Sequence, residues 1–194
     1  DSPIFQNKNI NRHKKIAKKL LDNGKAYRCW ASEEELSLMR ENAKKNASQV
    51  NYNGLWRNKE PTKVEEGKPY TVRFKSNQKG KTFVNDKVQG TVIFQNINLE
   101  DFIILRSDGS PTYMLSAVVD DHDMMVSHII RGDDHLSNSA KQIQIYEALN
   151  WKIPNFSHIP LIHGDDGSKL SKRHGALGID YYEKNGFLPD AIKN

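Results

Sequence analysis

The sequence contains a single cysteine, Cys29, among 194 residues. One thiol cannot form a disulfide within the chain, and it cannot build a cysteine-rich metal cluster. The sequence also lacks an apolar run near the roughly 20 residues that a membrane-spanning helix requires, and it lacks a secretory signal segment. The single cysteine fits a reducing compartment. Because no apolar run is long enough to span a membrane, we expect no membrane partner.

The charge balance is mildly basic, with 29 Lys and Arg against 24 Asp and Glu and a formal net charge of +5. A positive excess favours a polyanionic partner such as RNA, because phosphate binding releases counterions. The length fits one large domain or two small ones. The sequence begins at Asp1 without a methionine and stops abruptly after residues 187–194, where the pattern indicates the beginning of a helix. We therefore expect that both ends are cuts from a longer protein.

Two amphipathic helices are predicted in the first part of the chain. Between Asn9 and Asp22 apolar side chains share one face, and Gly24 is placed to end the helix. Ser32 and Glu35 have the spacing of a capping box and predict the start of a second helix. The buried stripe of this second helix is predicted to consist of Leu36, Met39 and Ala43.

Alternating apolar residues then predict strands at 70–74, 81–84 and 88–94, the first two joined at 78–80. A short apolar run at 102–105 precedes a turn, and a helix is predicted over 112–121.

The second part of the chain predicts a βαβ unit. A buried strand at 126–130 is followed by a helix that Ser137 or Ser139 could cap, and by another strand at 158–162. Two strands connected through a helix imply a parallel sheet. The predicted fold class is therefore α/β, with an α/β insertion followed by part of a parallel nucleotide-binding sheet.

The loop at 164–175 carries the strongest chemical signal. Lys169 and Lys172 flank the small Ser171, and Arg173 follows, so that up to three cations can converge on one polyphosphate. A solvated basic loop would have the same composition. The Walker pattern of P-loop NTPases is absent.

Two further segments place polar side chains near strand and helix ends. Arg131 follows the predicted strand and could bind a carboxylate through two parallel hydrogen bonds, with Asp133 and Asp134 beside it as acceptors. Tyr113 stands at a predicted helix start, where it could hydrogen-bond a small substrate. Alternatively, these residues form a surface ion pair, helix-capping carboxylates and a half-buried packing tyrosine.

Four motifs in order resemble those of the bacterial-type glutamyl-tRNA synthetases, a class I family. They are SDGSPTY at 107–113, VVDDHDM at 118–124, IIRGDDH at 129–135 and KLSKRHG at 169–175. The resemblance extends over the whole chain, and Lys169 to Arg173 matches the family's variant of the class I K-M-S-K-S signature. It implies the second half of a Rossmann-like parallel sheet with an α/β acceptor-binding insertion.

The resemblance also implies roles for individual residues. Tyr113 and Arg131 would line the glutamate pocket, and Lys169 and Lys172 would be catalytic through the ATP phosphates. The family commonly has Glu where Asp134 stands, which makes that contact one methylene shorter. The implied ATP-binding residues are Asp134, Ile162, Lys169, Ser171, Lys172 and Arg173, and the implied cofactors are ATP and Mg²⁺.

The resemblance implies four units. They are a helical lead-in at 1–28, the acceptor-binding insertion at 29–105, the second half of the Rossmann-like domain at 106–163, and the lysine loop with the start of a stem-contact module at 164–194. The H-I-G-H half and the anticodon-binding domains would lie outside the chain, so we expect no activity from it alone. The expected partners are glutamate and the tRNA for glutamate, with the tRNA for glutamine left open. We expect a monomer in a bacterial cytoplasm, with an organelle as the other option.

Some relatives hold zinc in the insertion, but here the matching positions predict none. They are occupied by Cys29, Ala31, Tyr52, Trp56 and Asn58, and three of these cannot supply the required donors. Trp56 is expected to pack a small apolar core instead.

Three alternatives stay open at this point. They are a truncated paralogue that glutamylates a modified tRNA base, a glutaminyl-tRNA synthetase, and an RNA-binding module without catalysis.

Overall fold

The computed structural model describes residues 4–46, 51–163, 167–169 and 178–193. The α-helices are α1 (Ile10–Asp22), α2 (Glu33–Lys45), α3 (Lys63–Glu66), α4 (Tyr113–Asp123), α5 (Leu136–Leu149), α6 (Ile179–Lys184) and α7 (Pro189–Lys193). The strands are β1 (Ala26–Cys29), β2 (Thr71–Phe74), β3 (Lys81–Asp86), β4 (Gly90–Gln95), β5 (Ile103–Leu105), β6 (His128–Gly132) and β7 (Asn155–Ile159). None of the helices in this part of the chain is long and apolar enough to cross a membrane.

The strands form two sheets. Strands β1, β2 and β5 form an antiparallel sheet in that order. The other sheet has the order β4-β3-β7-β6, in which β3, β7 and β6 run parallel and β4 runs antiparallel. Strands β6 and β7 are connected through α5, which confirms the predicted βαβ unit and the α/β fold class.

Helix α1 follows its predicted pattern closely. Ile16, Ala17 and Leu20 are buried in a core that they share with β2, β5, α4 and α5. Gly24 adopts a φ of +66°, a left-handed conformation that glycine takes at little cost, and so ends the helix. The apolar pattern did not reveal His13, whose buried ring places Nε2 2.8 Å from Oδ1 of Asp120 on α4.

Helix α2 has the predicted capping box but not the predicted buried stripe. The Ser32 hydroxyl accepts a hydrogen bond from the Glu35 N–H at 3.2 Å, and the Ser32 N–H donates to the Glu35 carboxylate at 2.8 Å. Leu36, Met39 and Ala43 are only half-buried, and α2 has no buried residue. Apolar spacing gives the direction of a face, but it cannot tell whether another element covers that face.

The connection at 78–80 leads from one sheet to the other, since β2 and β3 belong to different sheets. The hairpin in this region joins β3 to β4 instead. Its turn is fixed by Asp86, whose Oδ1 accepts the N–H groups of Val88 and Gln89, both at 2.9 Å. Strand β4 therefore begins at Gly90 rather than at the predicted residue 88.

The mixed sheet contains strands from two units that the sequence predicted as separate. Strands β3 and β4 come from 29–105, whereas β6 and β7 come from 106–163. They meet where Asp86 pairs with Phe156 in parallel register. The boundaries of the four units stay a prediction, but the second and third share one sheet.

Candidate functional site

Arg131 lies near the carboxyl end of β6. In α/β proteins ligands commonly bind just beyond the carboxyl ends of the strands. Its Nε donates to Nε2 of His158 at 3.0 Å. Its Nη2 donates to Oγ of Ser139 at 2.7 Å and to Oε1 of Gln142 at 2.9 Å. The guanidinium is thus held by side chains from β7 and α5.

Tyr113 is the first residue of α4, and its hydroxyl accepts a hydrogen bond from Nη1 of Arg131 at 2.7 Å. The helix starts there because Thr112 keeps an extended backbone and anchors its hydroxyl on the carbonyl oxygen of Ile103 at 2.7 Å. Tyr113 remains 47% exposed. The structure therefore brings together the two residues that were predicted to bind glutamate.

The two residues can offer a carboxylate one donor each. Within the described part of the chain, Nη1 of Arg131 makes one hydrogen bond, to Tyr113, which leaves its second N–H for a ligand. Because the Tyr113 hydroxyl accepts from Arg131, its own proton can be donated outward. The expected fork of two guanidinium donors is therefore replaced by one N–H and one O–H.

His158 and Asp86 support Arg131 and were not predicted as site residues. Both side chains are fully buried, and Nδ1 of His158 lies 2.6 Å from Oδ2 of Asp86. Burial opposes ionisation of Asp86. Hydrogen bonds from the Gln89 backbone and from His158 nevertheless hold the pKa of this carboxyl well below its usual range. No local motif could have identified the pair, because the two residues are 72 positions apart.

Two predictions about the βαβ unit are wrong. Ser137 and Ser139 do not cap α5, because a 3₁₀ turn over Asp133–His135 runs directly into the helix. Ser139 is instead a buried residue that contacts Arg131. The strand predicted as buried is also partly exposed, since β6 is the outermost of the described strands in its sheet and Ile130 is 68% exposed.

A second part of the site joins Asp134 to the lysine loop. Nζ of Lys169 lies 2.5 Å from Oδ2 of Asp134, and this hydrogen bond lowers the pKa of the Asp134 carboxyl. An antiparallel bridge between His163 and Lys169 brings the loop back against the chain just after Ile162, which is 75% exposed. Asp134, Ile162 and Lys169 therefore lie in one region. The other predicted ATP-binding residues, Ser171, Lys172 and Arg173, lie outside the described residues.

Three of the positions that match zinc ligands in some relatives, Cys29, Tyr52 and Trp56, contact one another. Trp56 is 2% exposed, and its ring lies tilted against that of Trp30 with 5.3 Å between the centroids, as expected of a residue that packs a core. Oη of Tyr52 accepts the backbone N–H of Trp56 at 2.9 Å and lies 3.4 Å from Sγ of Cys29. The described residues contain no group of three His, Cys, Asp or Glu side chains that could hold a metal. The absence of zinc stays a prediction.

Replacing Trp56 with alanine should lower the free energy of unfolding by about 3–5 kcal/mol, because the change leaves a cavity in this cluster. Added zinc or a chelator should leave the stability of the wild type unchanged. Denaturant unfolding of the full-length protein measures both effects. The control is Leu38→Ala on α2, where the side chain is 59% exposed and the expected change is within about 0.5 kcal/mol. Destabilisation of the wild type by the chelator would contradict the zinc prediction.

A family model described as "tRNA synthetases class I (E and Q), catalytic domain" matches residues 1–194. The chain is 55% identical over 191 residues to a protein named glutamate–tRNA ligase from Bradyrhizobium sp. strain ORS 278, covering 98% of this chain and 40% of the relative. Its identity to glutamate–tRNA ligase 1 of Bartonella tribocorum is also 55%, over 193 residues, covering 100% of this chain and 40% of that relative. The chain thus spans about two fifths of the length of these curated relatives.

Solved structures show the same similarity. The crystal structure of the glutamate-tRNA synthetase of Elizabethkingia anophelis matches with a TM-score of 0.80 at 29% identity, covering 96% of this chain and 39% of that one. The glutamate tRNA ligase of Elizabethkingia meningosepticum, solved in complex with its amino acid, matches with a TM-score of 0.79 at 30% identity. It covers 96% of this chain and 38% of that one. The chain belongs to the catalytic-domain family of the class I tRNA synthetases for glutamate and glutamine.

Proposed function

We propose that the chain forms the glutamate pocket and part of the ATP site of a glutamate–tRNA ligase. The single observation that carries this proposal is the Arg131–Tyr113 pair, which presents an N–H and an O–H donor at the carboxyl end of β6. A carboxylate accepts such donors strongly, because charge-assisted hydrogen bonds are about twice as strong as neutral ones. The names of the relatives, which are glutamate–tRNA ligases, agree with this ligand.

In the proposed first step, an oxygen of the α-carboxylate of glutamate attacks the α-phosphorus of ATP. A new P–O bond forms as the bond to the leaving pyrophosphate breaks, which gives glutamyl-adenylate. No protein nucleophile is needed, so the chain contributes alignment and charge stabilisation. Lys169 and Lys172 would neutralise the leaving pyrophosphate. Lys169 must then exchange its present partner, Asp134, for a phosphate oxygen.

The Mg²⁺ that the family resemblance implies would add further positive charge beside the phosphates. The described residues provide no cluster of three protein ligands. This fits Mg²⁺, which is often bound through substrate phosphates and only one or two carboxylates. Asp134 contacts the proposed phosphate-binding Lys169, and it would be available to such an ion once Lys169 turns to the phosphates.

In the proposed second step, glutamate passes from the adenylate to the terminal ribose of tRNA. A basic cleft of about 600 Å³ supports a polyanionic partner, because Lys14, Lys18, Arg28 and Arg106 line it. The lining also contains two acids, Asp22, which pairs with Lys18 at 2.8 Å, and Asp108, so that the cations remain in excess. We propose that residues 29–105 contact the acceptor end of the tRNA and that residues after 175 begin the stem-contact module.

Whether the tRNA for glutamine is also charged depends on contacts beyond the catalytic domain. We further propose a monomer that acts in the cytoplasm.

The test is aminoacylation by the full-length protein with radiolabelled glutamate and purified tRNAs for glutamate and for glutamine. We expect charging of the glutamate tRNA, and charging of the glutamine tRNA as well would indicate a non-discriminating enzyme. The 194 residues alone serve as the comparison, and we expect no charging from them since they span 40% of the relatives' length. Activation of glutamate without charging of either tRNA would instead favour the base-modifying paralogue. Acceptor-stem binding without adenylate formation by the full-length protein would favour an RNA-binding module.

A further inference from the structure

Arg131 is connected to the β3–β4 hairpin by a buried chain of hydrogen bonds. The chain runs from Asp86, at the end of β3, through His158 on β7 to Nε of Arg131, with distances of 2.6 and 3.0 Å. The side chains of Asp86 and His158 are both 0% exposed. Asp86 also accepts the backbone N–H of His158 at 3.1 Å. The chain of bonds therefore joins two predicted units of the protein inside their common sheet.

The geometry fixes the protonation pattern of His158. An arginine Nε can only donate, so Nε2 of His158 must supply a lone pair. The ring proton then sits on Nδ1 and is donated to the Asp86 carboxylate. Oγ of Ser139 lies 3.2 Å from the same Nε2 and accepts from Arg131, so its own proton can also point at Nε2. Every group in the network then has a consistent donor or acceptor role only if His158 is the neutral Nδ1–H tautomer.

We propose that Asp86 and His158 are positioning residues that hold Arg131 in the orientation in which it meets Tyr113 and the substrate carboxylate. The inference deepens the proposed function and rests on it. Hydrogen bonds to Nε and Nη2 leave Nη1 as the terminal nitrogen that faces Tyr113. Fixing Nε removes rotation of the guanidinium about the end of its flexible side chain, and a misplacement of about 1 Å at a binding group can cost roughly 100-fold.

The substitution Asp86→Asn tests the chain of bonds because it changes donors without changing volume. The amide oxygen can keep the backbone N–H groups of Val88 and Gln89, so the hairpin turn is preserved. The amide NH₂ then faces Nδ1 of His158. Because two donors cannot form a hydrogen bond with each other, Nδ1 can no longer carry the ring proton. The proton moves to Nε2 and opposes the Nε–H of Arg131, just as loss of a carboxylate partner puts a catalytic histidine in the wrong tautomer.

The experiment combines ¹⁵N NMR of labelled histidines with glutamate titration of the full-length protein. His158 is assigned from the signal that disappears in His158→Gln. In the wild type we expect the Nδ1–H tautomer, which the shifts of the two ring nitrogens distinguish. In Asp86→Asn we expect the Nε2–H tautomer and a glutamate Kd and KM raised about 10- to 100-fold, with a smaller change in kcat. The control Glu147→Gln, which changes an exposed acid on α5 to its amide, should change neither readout.

Each outcome decides the inference. An Nε2–H tautomer in the wild type overturns it without any variant, so failure of Asp86→Asn to fold does not block the test. Glutamate binding at the wild-type level in Asp86→Asn despite the altered tautomer also overturns it. If the wild type has the Nδ1–H tautomer but binds no glutamate, the proposed function is wrong. The proposed role of Asp86 and His158 in substrate positioning is then wrong as well.

Discussion

Replacing Arg131 with glutamine is expected to weaken glutamate binding by about 30-fold or more, since removing one partner of a hydrogen-bonded charge pair costs 2–5 kcal/mol. The substitution removes the Nη1 donor and also the support for the Tyr113 hydroxyl, so both proposed contacts to the carboxylate are lost. Calorimetric titration of the full-length protein with glutamate measures the change directly. ATP binding, which the proposal assigns to other residues, should change much less.

A matched control is Arg40→Gln, which changes an exposed arginine on α2 and should bind glutamate like the wild type. Circular dichroism must accompany the titration, because the loss of Arg131 also leaves His158, Ser139 and Gln142 without their common donor. A folded Arg131→Gln protein with wild-type glutamate affinity would remove the observation on which the proposed function rests.

Replacing Lys172 with alanine is expected to lower kcat for adenylate formation by about 10²- to 10³-fold, the range found when one preorganised charge-stabilising donor is removed. The residue is proposed to act on the leaving pyrophosphate, where negative charge grows only in the transition state. The glutamate Kd should therefore stay within about twofold of the wild type. Single-turnover formation of adenylate, together with calorimetric titration by glutamate, separates the two effects.

The control for this variant is Lys87→Ala, in the turn between β3 and β4, which should leave kcat unchanged. Equal losses in kcat and in glutamate binding would show that Lys172→Ala disturbs the whole site rather than the phosphate contact. The Lys169→Ala variant provides a further comparison for kcat, because it removes the other lysine that is proposed to contact the phosphates. In this structure Nζ of Lys169 lies 2.5 Å from Oδ2 of Asp134.

Local signals predicted the elements that depend on neighbouring residues. The helix that ends at Gly24, the capping box of Ser32 and Glu35, and the βαβ unit all depend on residues close in sequence, and the structure confirms them. Tyr113 and Arg131 are 18 positions apart. They were grouped through the family motifs, and the structure places them within hydrogen-bonding distance.

Features that depend on pairing between distant segments could not be predicted in this way. The helical spacing of Leu36 and Met39 predicted a buried side of α2, yet both residues are only half-buried and no element among the described residues covers them fully. The pairing of β3 with β7 brings Asp86 next to His158 across 72 positions. Neither residue belongs to a motif with a fixed spacing, so only the assembled sheet reveals that the pair supports Arg131.

The use of individual donors was equally hidden from the sequence. An arginine after a strand suggests a fork of two N–H groups, but β7 and α5 occupy one side of this guanidinium. What remains for a ligand depends on how His158, Ser139 and Gln142 are packed. These contacts exist only in the folded protein, and they replace the expected guanidinium fork by one N–H of Arg131 and the O–H of Tyr113.

The proposed choice of glutamate as substrate is tested by ATP–pyrophosphate exchange by the full-length protein, with glutamate or glutamine as the amino acid and with the tRNA for glutamate present. We propose that the N–H of Arg131 and the O–H of Tyr113 bind the side-chain carboxylate of glutamate, so that the pocket favours an acidic side chain over an amide. We predict exchange with glutamate and at least about 100-fold less with glutamine, because the charge-assisted contact is lost. Exchange with glutamine at a rate equal to or above that with glutamate would contradict the account.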